Sequence, residues 1–530
     1  MARGPHRALA RRAFADARTR TIAFALLFVT VAVLQPVAYR QTYPTLVERM
    51  AFAESFGTNK SVMLFYGRPR DLLTVEGYTA WRVGGILALF AAVWGVMAAV
   101  RALRAEEDAG RQELVLATAV GRRAAFLSAM AGVAGGVAVL WLAILAGLVA
   151  GGLALPGSAY LALVTVSPAV VFAAAGAAVC QLADSRRLAT ALGLGLVSAA
   201  FVVRVVADTE DHPALRWASP LGWTEEMRAF AGPRPAVLLL PAALSALMVA
   251  AAAAALVRRD VGRGMLGSRD ARAPRTGLLG TVAGQALRAE AGVLIAWAAG
   301  LWIFALVIGI VSSSISAAGI SEQLRERLER FGGLSIVTPR GYLSLTFLFF
   351  VLAVSLFACA QVAAVRHEEA EQRLETLLSM PVGRTRWLAG RLALAVAAAA
   401  VLALGSGVAA WAGAASQSAG VGLGGMLAAG VNCIPAAVLF LGVGALGFAA
   451  LPRASATIAY GAVSAAFVWE LFGAVAGAPD WTLQVSPFHH IGFVPAQPFR
   501  PLAAAAMAAV GVAAACAALW RFRRRDLVGA

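Results

Sequence analysis

The feature that most constrains this chain is a series of apolar runs, each long enough to cross a lipid bilayer as a helix. A bilayer core of about 30 Å requires roughly 20 helical residues. Twelve runs of about that length lie at residues 21–39, 80–100, 124–153, 158–182, 188–207, 236–257, 291–313, 343–365, 388–413, 424–450, 455–477 and 501–520. With 60% apolar and only 14% charged residues, the 530-residue chain cannot give a water-soluble globule a normal polar surface. We therefore predict an all-α integral membrane protein with about twelve transmembrane helices.

The basic residues fall mainly on one side of the predicted membrane. If the N-terminus is inside, the cytoplasmic segments carry most of the excess behind the net charge of +17, as short cytoplasmic loops usually do. We therefore expect both termini in the cytoplasm and a multi-pass protein of a bacterial cytoplasmic membrane. Charge placed at one membrane face indicates contact with acidic lipid and not with nucleic acid. Arg3, Arg7, Arg11 and Arg18 share one arc of a helix, which predicts an amphipathic helix on the inner leaflet.

A charged motif occurs twice in this otherwise apolar chain. Residues 104–113 read RAEEDAGRQE and are followed by Val-Gly-Arg at 120–122. Residues 366–375 read RHEEAEQRLE and are followed by Val-Gly-Arg at 382–384, at the same spacing. Charged residues matched so closely indicate a duplicated functional element.

Two shorter matches extend the duplication over most of the chain. Residues 197–202 and 463–468 both read VSAAFV, and the Arg-Arg-Asp at 258–260 recurs at 524–526. Each half then has six spans, and an even number returns each half to its starting side. We predict two parallel six-helix repeats related by a pseudo-two-fold axis along the membrane normal. The predicted domains are a first half at 1–261, a cytoplasmic linker at 262–288 and a second half at 289–530.

Each copy of the charged motif follows a span on the predicted cytoplasmic side. Glu107 precedes Arg111 by four residues, and Glu369 precedes Arg373 likewise, in the orientation that stabilises a helix. The Val-Gly-Arg triplet predicts a turn before the next span. A short charged elbow of this kind is suited to bind a partner and pass force to the helices on either side. Ordinary charges snorkelling at the membrane interface are the alternative.

The elbow pattern E-E-x-x-x-R-x-E and V-G-R, with R-R-D after each sixth span, resembles the permease subunits of bacterial ATP-binding-cassette exporters. It is most similar to the fused twelve-span group associated with export of polyketide antibiotics such as tetronasin and other drugs. The resemblance implies twelve residues that contact a separate ATPase: Glu106, Glu107, Arg111, Glu113, Gly121, Arg122, Glu368, Glu369, Arg373, Glu375, Gly383 and Arg384. It also implies two copies of that ATPase, which hold ATP and Mg, and a small lipophilic cargo. The first half departs from the family pattern at one position. The family commonly has a proline immediately before Val-Gly-Arg; the second half has it as Pro381, whereas the first half has Ala119.

The chain itself offers no conventional nucleotide or metal site. Its only lysine is Lys60, which lacks the glycine that a phosphate loop places before its lysine. The four cysteines show neither metal-ligand spacing nor a disulfide framework. We therefore expect no cofactor, no metal and no catalytic residue in this chain, and we predict a transporter and not an enzyme.

Two charged residues lie within predicted spans at equivalent positions of the two halves. Arg204 and Glu470 each follow the shared VSAAFV run. An unpaired charge at the bilayer centre costs roughly 2.5–3.5 kcal/mol, so opposite signs at related positions suggest that the two pair as a gate in the translocation path. The alternative is that each lies near the outer end of its span, since Arg204 is only four residues from Asp208. Gly132-x-x-x-Gly136 and Gly420-x-x-x-Gly424 predict close helix packing.

Three function classes remain open at this point. The predicted function is the permease of an ATP-driven exporter of lipophilic or amphiphilic compounds. A secondary, proton-coupled multidrug transporter is the alternative. Such a transporter uses intramembrane carboxylates for proton coupling, and Glu470 is nearly the only one in the predicted spans. A membrane-bound enzyme would need a cluster of His, Asp or Glu at one membrane face. The outer loops offer Asp208, Glu210, Asp211 and His212, which are more typical of a solvated loop.

Overall fold

The fold is that of a computed structural model, which describes residues 4–57, 60–108, 110–118, 120–209, 212–260, 264–265, 282–313, 338–473 and 480–527. Within these ranges every regular element is a helix, and eleven helical segments are long and apolar enough to cross a membrane. The chain divides into two compact units, Met1–Ala273 and Pro274–Ala530. That boundary falls within the predicted linker 262–288.

The first unit contains twelve described α-helices. They are α1 (Gly4–Thr42), α2 (Leu46–Gly57), α3 (Lys60–Tyr66), α4 (Val75–Val100), α5 (Glu106–Asp108), α6 (Arg111–Leu116), α7 (Arg122–Ala150), α8 (Leu155–Leu182), α9 (Arg186–Thr209), α10 (Pro213–Arg216), α11 (Pro220–Glu226) and α12 (Leu239–Arg258). A π-helical turn, Arg101–Ala105, joins α4 to α5, and a 3₁₀ turn, Pro235–Leu238, leads into α12. Such π turns often lie at functional positions in a helix.

The second unit is also built from helices in the part that the structure describes. Its described α-helices are α13 (Val282–Ser312), α14 (Pro339–Ala370), α15 (Arg373–Leu378), α16 (Arg384–Ser416), α17 (Leu423–Val431), α18 (Ile434–Ala450), α19 (Ser455–Gly473), α20 (Asp480–Leu483) and α21 (Pro501–Arg524). Here α14 runs into its elbow as a continuous α-helix, without the π-helical turn of the first unit.

Close packing of long helices positions the elbows. In the first unit α1 packs along α7 and α4 packs along α8; in the second unit α13 packs along α16 and α18 along α21. A Cβ atom added at Gly95 of α4 would lie 2.4 Å from the carbonyl oxygen of Ala169 in α8, so these backbones are in direct contact. Small residues permit this approach where lipid supplies no hydrophobic driving force between helices.

Some predictions about the helices differ from the structure. The basic N-terminal segment and the first apolar run form one helix, since α1 runs unbroken from Gly4 to Thr42. An amphipathic helix on the inner leaflet stays a prediction for this segment, of which Arg3 lies outside the described residues. The run at 424–450 is broken at Asn432 and Cys433, between α17 and α18. The eleventh predicted span, 455–477, is not among the eleven membrane-crossing candidates; α19 covers it to Gly473, and 474–477 lie outside the described residues.

The two predicted glycine packing motifs have different outcomes. A Cβ atom at Gly136 would lie 2.6 Å from the ring of Trp94, which confirms close packing for the first motif. The second motif is wrong: Gly420 adopts a positive φ of 69° in a turn before α17, and Gly424 faces open space. Turn geometry and helix packing both favour glycine, so the sequence pattern alone cannot separate them.

Candidate functional site

Both elbows turn the chain at a residue in the left-handed conformation. Gly110, with φ of 69°, separates α5 from α6, and Gln372, with φ of 60°, separates α14 from α15. The amide of Gly110 donates to the carbonyl of Glu107 at 3.0 Å, and that of Gln372 donates to the carbonyl of Glu369 at 3.1 Å. The two elbows therefore share one local backbone, although in the second half a residue with a Cβ adopts a conformation that favours glycine.

A buried ionic cluster lies beneath the first elbow, centred on Glu107. Its two carboxylate oxygens accept hydrogen bonds from Arg259 at 2.6 and 2.8 Å, and Arg104 donates to one of them at 3.1 Å. The side chains of Arg104, Glu107 and Arg259 are only 0%, 3% and 6% exposed. Arg259 also donates through Nε to Gln181 at 2.8 Å. Because Arg259 caps the end of α12, the bidentate pair joins the elbow to the last helix of its half.

The second elbow has the same arrangement around Glu369. Arg525, at the end of α21, donates to its two carboxylate oxygens at 2.6 and 2.9 Å, and Arg366 donates at 3.4 Å. The Arg525 guanidinium also lies over the rings of Phe448 and Phe522, at 4.8 and 5.0 Å from their centroids. The Arg-Arg-Asp sequence that closes each half therefore supplies the partner of the buried elbow glutamate.

A third arginine joins each cluster to the helix that follows the elbow. Arg122, the first residue of α7, donates to the carbonyl of Arg259 at 3.0 Å, and Arg384, the first residue of α16, donates to the carbonyl of Arg525 at 2.8 Å. We name each set a Glu–Arg clamp: Glu107, Arg259 and Arg122 in the first half, and Glu369, Arg525 and Arg384 in the second. Each clamp connects the elbow, the following helix and the last helix of the half.

The acidic and basic residues on the outer face of the elbows pair differently from the prediction. Arg111 binds Glu106 with donor–acceptor distances of 2.5 and 2.9 Å, and Arg373 binds Glu371 at 2.7 Å. These partners differ from Glu107 and Glu369, which the i,i+4 spacing predicted. The left-handed residue between each acid and base ends the helix, so the i,i+4 relation on one helix face does not apply.

The twelve predicted contact residues divide by exposure. Exposed are Arg111, Glu113, Gly121, Arg373, Glu375 and Gly383; partly buried are Glu106, Arg122, Glu368 and Arg384; buried are Glu107 and Glu369. A direct contact of Glu107 or Glu369 with another protein does not fit their enclosure by arginines. These two support the elbow from within, and contact with an ATPase stays a prediction for the exposed and the partly buried residues.

The second elbow has an additional buried ion pair. Arg391 of α16 donates to Glu290 at 2.8 Å and lies 3.1 Å from Glu368. Its side chain is 4% exposed. The corresponding residue in the first half is Ala129, so this cluster has no counterpart there. Arg391 lies inside the predicted ninth span, where only its charge within an apolar run could have drawn attention to it.

The intramembrane Arg204 is buried in an ionic cluster of the first half. It donates to Asp208 at 3.2 Å and lies 3.4 Å from Glu225, while Arg216 donates to Asp208 at 2.8 Å. Burial, the largest cause, raises the pKa of Glu225 to about 8, against the opposing effect of the Arg204 charge. The cluster ties the end of α9 to α10 and α11.

Glu470 has a partner in its own half. Its carboxylate lies 3.5 Å from Nδ1 of His489, and its side chain is 16% exposed. The partners that the structure gives to Arg204 and Glu470 therefore lie within their respective units. Pairing of the two across the halves stays a prediction, and so does their role as a gate.

The sequence reasoning matched Arg259 and Arg525 between the halves but assigned them no role. A usable signal was present, because a glutamate and an arginine of opposite charge are each duplicated within an apolar chain. Buried charges require partners, so the duplicated arginines were candidates for the duplicated glutamates. Distance along the chain hid this relation, since 152 residues separate Glu107 from Arg259.

Two comparisons with known proteins identify the family of this chain. A sequence profile described as the C-terminal domain of the multidrug efflux system permease Rv1217c matches residues 49–257 and 279–523, ranges that include both elbows. The multidrug efflux system permease protein Rv1217c of Mycobacterium tuberculosis (strain ATCC 25618 / H37Rv) is 32% identical over 506 residues, which cover 95% of this chain and 91% of that protein. The chain therefore belongs to the family of multidrug efflux permeases to which Rv1217c belongs.

Proposed function

We propose that this chain is the permease of an ATP-driven exporter that moves lipophilic or amphiphilic compounds, such as antibiotics and other drugs, out of the cell. The name of its relative, a multidrug efflux permease, supports the cargo class. The resemblance of both elbow motifs to those of ATP-binding-cassette exporters supports ATP as the energy source. Within that class we place the chain in the fused twelve-span group that includes exporters of polyketides such as tetronasin.

The observation that best supports this proposal is the presence of a Glu–Arg clamp under each elbow. A surface elbow alone could bind a partner without moving anything. Here Glu107 and Glu369 are each bound by two nitrogens of an arginine that ends the last helix of the half. Movement of an elbow would therefore carry the ends of several membrane helices with it.

The proposed mechanism follows from this connection. Two copies of a separate ATPase, holding ATP and Mg, dock on the exposed residues of the two elbows at the cytoplasmic face. ATP binding closes the ATPases and displaces the elbows, and the clamps transmit the displacement to the helices that begin and end there. The path between the helices then changes from inward to outward access. Both termini are cytoplasmic in this arrangement, and the membrane is the bacterial cytoplasmic membrane.

The gate formed by Arg204 and Glu470 is a further element of the proposal. Arg204 would have to exchange its buried contact with Asp208 for one with Glu470 in some state of the cycle. Reversal of both charges should then restore the export lost in either single reversal. Export that stays absent in the double variant, with normal amounts of protein in the membrane, argues against the gate.

Site-directed photo-crosslinking in native membranes tests the docking of ATPases. A photoreactive amino acid at Glu113 or Glu375, both exposed on the elbows, should crosslink to a P-loop ATPase identified by mass spectrometry. The same probe at Leu155, exposed at the far end of α7 and α8 from the elbow, is the control and should not. Equal crosslinking from Leu155, or a product that contains no ATPase, contradicts the proposal.

A further inference from the structure

The first half contains a cavity of about 280 Å³ at the elbow end of its helices. It lies between α1, the end of α4, the elbow and the first turns of α7, and Phe24, Trp94 and Val133 contribute to an apolar wall. Met97 also lines it and is 45% exposed on α4. The cavity therefore reaches the outer surface of the helix bundle, where hydrocarbon chains of a membrane could enter.

Several arginines converge on the polar end of the same cavity. Arg20, Arg101 and Arg186 all line it, and Arg20 is close enough to the other two to be repelled by their charges. Within the part of the chain that the structure describes, none of these three forms an ion pair. Glu106 and Glu107 also line the cavity, but their carboxylates are bound by Arg111 and Arg259, so positive charge remains in excess at this end and favours binding of an anion.

The second half carries larger side chains at two sequence positions that correspond to residues lining this cavity. Ala125 and Ala129 line the cavity, and the residues at the same positions of the repeat are Trp387 and Arg391. Trp387 is 1% exposed, and Arg391 is buried against Glu290 and Glu368. A bulky ring and an internal ion pair thus stand where the first half has two methyl groups and open space.

We propose that the cavity of the first half binds one acidic phospholipid, with its phosphate among Arg20, Arg101 and Arg186 and an acyl chain along the apolar wall. A free inorganic anion would satisfy the charges but would leave the apolar wall empty. Basic pockets between membrane helices are suited to acidic headgroups in this way. We expect no such lipid in the second half, because Trp387 and Arg391 are there at the positions of the two alanines that line the cavity. This inference does not depend on how transport is driven.

Native mass spectrometry of the purified full-length chain in nanodiscs tests the proposal. Nanodiscs contain phosphatidylcholine with or without phosphatidylglycerol, and inorganic phosphate is added in a separate arm. The test variant is Arg20→Gln with Arg186→Gln; the matched control is Arg18→Gln with Arg187→Gln, which removes the same charge from exposed residues of the same helices that do not line the cavity.

A second pair of variants tests the space and not the charge. Ala125→Trp introduces the side chain that the second half carries at Trp387, and it should fill the cavity. Leu127→Trp places the same ring on α7 at a side chain that is 53% exposed. If Ala125→Trp does not fold, the arginine variants decide the matter alone, because Arg20 and Arg186 are exposed.

We expect the wild-type chain to retain phosphatidylglycerol, and both controls to do so equally. The double arginine variant should bind it about twenty-fivefold more weakly, since each arginine near an acidic headgroup contributes roughly fivefold. Ala125→Trp should abolish retention. Equal retention of phosphatidylcholine, displacement of the lipid by inorganic phosphate, equal loss in the Arg18 and Arg187 control, or full retention by folded Ala125→Trp would each overturn the proposal.

Discussion

Replacing Glu107 by Gln tests the first Glu–Arg clamp with the smallest change of shape. The amide keeps one oxygen that can accept a hydrogen bond from Arg259 but loses the charge and the second acceptor. Arg259 would keep its hydrogen bonds to the side chain of Gln181 at 2.8 Å and to the carbonyl of Asp260 at 3.2 Å, but it would lose its bidentate contact with a carboxylate. The hydrogen bond that Arg104 donates to Glu107 at 3.1 Å would lose its negatively charged acceptor.

The expected cost follows from the burial of the three side chains. Breaking a buried ion pair by removing one partner costs about 3–5 kcal/mol, and Gln lies at the lower end because it keeps the shape. We expect the free energy of unfolding of the first unit to fall by about 3 kcal/mol, which corresponds to a decrease of roughly 6–12 °C in its unfolding midpoint. The equivalent change of Glu369 should cost less, about 2 kcal/mol, because the Arg525 side chain is 13% exposed and lies over two aromatic rings.

Thermal unfolding in nanodiscs, followed by intrinsic fluorescence, provides the assay. Glu113→Gln is the matched control, since it removes the same charge from an exposed residue of the same elbow, and it should change stability by less than about 0.5 kcal/mol. A double-mutant cycle that combines Glu107→Gln with Arg259→Gln measures the interaction free energy of the two residues, which should be about 2 kcal/mol because they are in direct contact.

Two results would refute this reasoning. If Glu107→Gln unfolds within about 0.5 kcal/mol of the wild type, the buried cluster does not hold the elbow. If the effects of Glu107→Gln and Arg259→Gln simply add, the two residues act separately and no clamp exists.

Three further predictions concern the same helices and turns. Because the folded-state pKa of Glu225 is raised from 4.5 to about 8, stability should fall as pH rises from 4.5 to above 8, and Glu225→Gln should remove that fall in thermal unfolding scans. Gly95→Leu should lower the free energy of unfolding several times more than Gly84→Leu, because of the two glycines only Gly95 lies against a backbone carbonyl of α8. Similar unfolding midpoints for the two variants would contradict close packing. Gln372→Gly should raise the free energy of unfolding of the second elbow by about 0.5–1 kcal/mol, and Gly110→Ala should lower that of the first by about 1 kcal/mol. If denaturation shows that Gln372→Gly destabilises and Gly110→Ala stabilises, the left-handed turns are not strained.

The membrane architecture was predictable because it depends on a strong local signal. A run of about 20 apolar residues must become a helix in lipid, where each backbone polar group needs an internal partner. Eleven of the predicted spans correspond to membrane-crossing candidates in the structure. The sequence contains no helix breaker between the basic N-terminal segment and the first apolar run, and α1 accordingly continues through both.

The elbows were predictable in position but not in their internal contacts. Duplication of the charged motif identified the segments, while the i,i+4 rule assumed one continuous helix. Glycine at 110 is suited to the left-handed turn found there, but we did not predict that turn, and Gln372 carries no such signal. The partners Arg259 and Arg525 lie far along the chain, and sequence spacing carries no information about contacts of that kind.

The cavity of the first half illustrates a further limit of sequence reasoning. Ala125 and Ala129 are unremarkable residues in an apolar run, and their importance appears only beside Trp387 and Arg391 at the same positions of the repeat. A gap in packing is defined by side chains that are absent. It can therefore be seen in a fold and not in a pattern of residues.

The energy source of transport is the most direct test of the proposed coupling through the elbows. Inverted membrane vesicles from the native cells should accumulate a lipophilic fluorescent dye when ATP is added, and should continue to do so with a protonophore present. Charge reversal of the exposed elbow residues, Arg111→Glu with Arg373→Glu, should abolish the uptake without reducing the amount of chain in the membrane. Uptake that needs a proton gradient and proceeds without nucleotide would contradict the account.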